Sequence, residues 1–180
     1  MMHEQISEFL RYWDGLRDGA DLPAKDRIDP LAIPRRLLSN VFLMVYDDHR
    51  DDVCFTLVGS YAHIARGMEL SGTYAADLPN RMGGTREAYA EYIRDHYRMA
   101  RRLRRPVHSR GAYRWIAGQR DVITERIVCP ILGRDGRTIE FTGFQSVEHA
   151  APSRPVPLND ADDYVSEFVR VIEDLDTEIT

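Results

Sequence analysis

The sequence predicts an α+β domain built on one antiparallel sheet, and three observations predict it. Two apolar strand candidates, residues 41–46 and 53–58, come first. A helical middle over residues 86–103 follows. Three further strand candidates, residues 107–115, 121–131 and 138–147, then succeed one another through tight turns. An antiparallel sheet wrapped around a few helices is a shape suited to enclosing a small molecule, so this order points to binding or sensing ahead of catalysis.

The first element is a helix over residues 4–16, because Ile6, Phe9, Leu10, Trp13 and Leu16 recur at the spacing that gathers them on one face. Pro23, Pro30 and Pro34 then remove amide donors from residues 19–34 and keep that connector extended or turned. In the first strand Val41, Leu43 and Val45 lie on one face and Phe42, Met44 and Tyr46 on the other, so both faces of the sheet are expected to be covered. The polar run 47–52 is a hairpin tip. Ser60 offers an N-cap for a short helix that Gly67 stops, and a second short turn is expected at 74–78. The long helix starts near Thr85 and ends at Pro106, with Arg101, Arg102, Arg104 and Arg105 complementing the negative end of its dipole. Asp135-Gly136 supplies the positive backbone angles of a tight hairpin. After a proline-containing linker at 149–157, Ala161, Val165, Phe168, Ile172 and Leu175 form a two-heptad stripe, which predicts an acidic C-terminal helix.

The totals exclude several classes. With 180 residues and 43% hydrophobic content the chain supports one substantial core. No long uncharged apolar run occurs, and the start lacks the basic and apolar regions of a secretory signal, so a cytoplasmic protein without membrane association is expected. Residues 158–180 hold eight acids against one base, which leaves the remainder of this net −5 chain at +2. Neither part has the concentrated basic face that a nucleic-acid binder needs. Cys54 and Cys129 sit in strands without a CxxC or a Cys/His cluster, so buried thiols are expected and no metal site. A phosphate-cradling glycine loop, an HExxH pair and a GxSxG elbow are all missing, and no enzyme is expected.

The residues Tyr12-Trp13, Ile28-Asp29-Pro30, Ile33-Pro34, Phe55 to Ser60, Gly72 to Tyr74, Pro106-Val107, Ser109 to Gly111, Glu125-Arg126 and Pro130 stand in an order that resembles the PAS sensory fold, and more closely the short stand-alone PAS proteins of alphaproteobacteria. The resemblance implies a five-stranded antiparallel sheet with helices over one face and a cavity beneath the long helix. It also implies flanking N- and C-terminal helices, the first of which often mediates homodimers. The chain then divides into residues 1–34, helix and connector; 35–149, the PAS-like domain; and 150–180, linker and C-terminal helix. A ligand or cofactor, a conformational change and a signalling protein partner belong to the same implication, since no output module is evident in the sequence.

Candidate ligand-binding residues follow from strand and helix faces together with that resemblance. His96 falls on the apolar side of the long helix with Tyr89, Tyr92, Met99 and Leu103, Ile93 and Ala100 filling in, where it is either a hydrogen-bonded core histidine or a ligand contact. The resemblance keeps haem open, because haem-binding members place an axial histidine on this helix, but the cofactor stays unassigned. Flavin photochemistry is disfavoured because its cysteine motif is missing from the helical middle. Arg126 and Glu125 point to opposite faces of a strand among apolar neighbours, so Arg126 must be paired or meet an anionic ligand. Tyr113, Phe144 and Gln145 complete the expected lining, and His63 and Arg66 would stand near the mouth. The leading expectation is a sensory protein holding a small molecule. The alternatives are an interaction adaptor with a filled cavity and a small α+β enzyme in which His96 or His63 is the base.

Overall fold

The computed structural model describes residues 2–60, 69–78, 87–115, 120–149 and 164–175. Helix α1 (Glu4–Gly15) is capped by His3, whose Nδ1 accepts from the Gln5 amide. A single helical turn, α2 (Arg35–Leu38), leads into strands β1 (Val41–Asp47) and β2 (Asp52–Val58). The long helix α3 (Glu87–Leu103) precedes the meander β3 (Val107–Trp115), β4 (Arg120–Leu132) and β5 (Ile139–His149), and β6 (Tyr164–Val171) follows. All pairings are antiparallel, in the order β2-β1-β5-β4-β3-β6.

Both faces of the sheet are covered, as the doubly apolar first strand requires. On one face Ile93, Tyr97 and Ala100 of α3 pack with Met44, Val53, Val107, Val128 and Phe141. On the other, Ile6, Phe9, Leu10 and Trp13 of α1 pack with Ile127, Cys129, Ile131 and Phe144, and Leu22 and Ile33 of the connector with Leu37 of α2 join that cluster. The stripe read from the sequence therefore covers the chain's own sheet. Trp13 adds a directional bond, with Nε1 donating to the Pro130 carbonyl at 3.0 Å. The connector is tied down by the Leu132 amide, which donates to the Pro23 carbonyl at 2.9 Å.

Two expectations are corrected. The buried face of α3 is centred on Ala90, Ile93, His96, Tyr97 and Ala100, whereas Leu103 is 43% exposed. Tyr97, missed by the heptad-like stripe, is fully buried with its ring edge-on to Phe141 at 5.0 Å. The second correction is larger. Residues 164–171 form β6 rather than a helix, and the sheet has six strands among the described residues instead of the expected five. Val165, Val169, Val171, Tyr164 and Phe168 are β-branched or aromatic, and β3 would otherwise present a row of unpaired amides and carbonyls at an open edge. Satisfying that edge outweighs a short helix that needs a partner surface. The short helix expected at 60–66 and the linker at 149–157 fall largely outside the described residues.

The β1–β5 pairing sets Phe42 opposite Gly143, and the Phe42 ring lies over the glycine. A Cβ at Gly143 would intrude on that ring and on the Ile127 carbonyl oxygen. Gly143→Ala is expected to destabilise by about 1–3 kcal/mol through overpacking, measured by urea unfolding; an unchanged midpoint would contradict this packing.

Candidate functional site

Strand alternation carries Val122, Thr124, Arg126 and Val128 of β4, and Gln145 and Val147 of β5, to the face beneath α3. There the Arg126 guanidinium donates twice to one oxygen, Gln145 Oε1, from Nε at 3.2 Å and from Nη2 at 2.8 Å. Gln145 is itself fixed by its backbone, since its amide donates to the Asn40 carbonyl and Asn40 Nδ2 donates to its carbonyl. Ser109 lies opposite Arg126 in register and is buried, as is Thr124. A polar patch thus interrupts an otherwise apolar face.

His96 reaches the same side from α3. It is 1% exposed, its ring stands edge-on to Tyr92 at 4.5 Å, and Nδ1 is bonded to the Tyr92 carbonyl one turn earlier. A carbonyl only accepts, so Nδ1 carries the proton and Nε2 presents a lone pair. Burial, and then the positive charge of Arg126, hold the imidazole pKa down to about 3 against the raising effect of the Tyr92 and Ile93 carbonyls, so His96 is neutral throughout the physiological range. Its Nε2 has no hydrogen-bond partner among the described residues, and neither has Gln145 Nε2, both being buried.

The structure therefore brings Tyr92, His96, Arg126 and Gln145 to one side. Phe144 goes to the other, where its ring meets Phe9 of α1 at 6.0 Å, because neighbouring residues of a strand point oppositely. The side chain of Tyr113, and His63 and Arg66 entirely, lie outside the described residues. The arginines ending α3 are engaged by carboxylates: Arg98 with Asp51 at 2.6 Å, Arg101 with Asp48 at 2.6 Å, and Arg104 and Arg105 both with Asp21. Cys129 is buried, which pushes its thiol pKa up, and no group of three metal-ligating side chains occurs among the described residues. No described helix is long and apolar enough to cross a membrane.

A second polar cluster occupies the α1 face, and sequence reasoning missed it apart from the orientation of Glu125. The Glu125 carboxylate accepts from the His3 amide at 2.9 Å, from His108 Nε2 at 2.8 Å and from Arg110 Nη1 at 3.2 Å. Arg170 of β6 donates from Nε to His108 Nδ1 at 3.2 Å, and Arg110 donates to Glu167 at 2.9 Å. One buried carboxylate thereby joins the start of α1 to β3, and through His108 and Arg110 to β6. Burial alone would raise its pKa, but the bonds from His108, the His3 amide and Arg110 outweigh that and lower it to about 2. The available signal was an acid at a buried strand position, which demands donors on the neighbouring strands.

A family model described as a PAS domain matches residues 1–146, from α1 into β5 and stopping before β6. No curated protein matches the chain, and no solved structure does.

Proposed function

We propose that this chain, which belongs to the PAS domain family, is a sensory module that holds a small molecule between the sheet and α3 and reports its presence through the terminal segments to a protein partner. The observation that carries this reading is that two of the four buried, unpartnered polar atoms among the described residues, His96 Nε2 and Gln145 Nε2, belong to the side chains gathered around Arg126, the others being Thr73 Oγ1 and Arg94 Nε. Leaving such an atom unsatisfied costs about 1–3 kcal/mol. Of the pair around Arg126, one sits on the side chain that Arg126 grips, and the other on a histidine that feels the Arg126 charge, so a guest reaching both would satisfy them.

Transmission follows from β4. Arg126 and Glu125 are chain neighbours on opposite faces, so a guest that shifts the Arg126 guanidinium strains the backbone that also aims the Glu125 carboxylate. That carboxylate holds the beginning of α1 and, through His108 and Arg110, the strand β6. Occupancy on one face is thus read at both terminal segments on the other. Homodimerisation is a separate part of the proposal and needs a surface other than the α1 stripe, which is buried in its own subunit. Sedimentation at micromolar concentration decides it, and a strict monomer removes it.

Native mass spectrometry of the purified protein tests the ligand. Wild type is expected to carry an added small mass that His96→Ala loses. The bare chain mass in wild type would sink the holding role and favour an adaptor whose interior is filled.

A further inference from the structure

We infer that the guest is a small hydroxy acid with an apolar body, its hydroxyl given to His96 Nε2 and its carboxylate received by the Gln145 side-chain amide beside Arg126. This rests on the reading that a guest is held beneath α3, and it assigns that guest its chemistry. The polarity of each contact is fixed by its other bonds. His96 Nδ1 is committed to the Tyr92 carbonyl, so Nε2 accepts and only a donor satisfies it. Gln145 Oε1 receives two N–H groups of Arg126, so the amide nitrogen faces away from the guanidinium and only an acceptor satisfies it. The adjacent guanidinium charge favours an anionic acceptor over a neutral one. Around these groups Ile93, Val122 and Val128 are buried, and Tyr92 and Val147 pack against the same cluster, which suits an apolar body.

The test uses the 2-, 3- and 4-hydroxybenzoates, benzoate and phenol as probes, titrated calorimetrically into the full chain. The isomer whose hydroxyl matches the span between His96 and Gln145 is expected to bind roughly tenfold or more tightly than benzoate and than phenol, because each of these leaves one buried group unpaired. Gln145→Met is expected to abolish the advantage over phenol, and His96→Phe the advantage over benzoate. If either variant unfolds, discrimination by wild type alone decides. Equal binding of hydroxybenzoates, benzoate and phenol would overturn the assignment and leave the holding role intact. Failure of every probe overturns the assignment too: with a retained mass in native spectra the holding role stands, and without one water alone fills the site and both fall.

Discussion

Replacing Glu125 with Ala is expected to destabilise the protein by about 3–5 kcal/mol, the cost of removing one member of a buried charged network. The carboxylate is 4% exposed and accepts from the His3 amide, His108 and Arg110, so its loss strands the buried His108 Nε2–H and takes a partner from the His3 amide and from Arg110, which keeps Glu167. Equilibrium urea unfolding at pH 7 measures this, and a loss below 1 kcal/mol would contradict the network. The pH dependence gives a second measure. The folded pKa is about 2, below the ordinary value of 4.5. A depressed carboxyl pKa contributes stability that is fully present above the unfolded pKa and is lost as pH falls through the folded one. The stability gap between wild type and Glu125→Gln is therefore expected to narrow from pH 6 toward pH 2. A gap constant over that range would show that Glu125 is not held ionised by these partners.

Trp13→Ala is expected to cost a further class of interaction, about 3–5 kcal/mol for emptying a large buried site. The indole is 1% exposed among Phe9, Leu10, Ile131 and Phe144, and its loss also leaves the Pro130 carbonyl without its donor. Trp13→Phe should recover most of the packing and lose only the bond, about 1 kcal/mol. Denaturant midpoints of the three proteins test the order. If Trp13→Ala matched wild type, α1 would not be a structural part of the domain, and the route from Glu125 to the N-terminal segment would lose its anchor.

Much of the architecture was legible along the chain. Residues 107–115 form a strand with the predicted bounds, and the first helix, both early strands and the meander differ from expectation by a residue or two at their ends. The opposite facing of Arg126 and Glu125 was legible too, and both are buried as that reading required. The same alternation forbids Phe144 and Gln145 from facing one side of the sheet, and Phe144 accordingly meets Phe9 on the α1 face. The β6 segment misled for a different reason. Its apolar spacing fits a helix, and nothing within it reveals that β3 offers an open edge.

Local order therefore belongs to the sequence by itself: which stretches are strands, where Asp135-Gly136 turns with Gly136 at a φ of 65°, and which face of α1 is apolar. These depend on interactions within a few residues. The tertiary structure alone decided the partners of each buried polar group. Arg126 meets Gln145 across 19 positions, and the Glu125 carboxylate meets the His3 amide across 122. Such pairs are set by sheet register and by which strand completes an edge, and both are fixed by the packing of the whole domain.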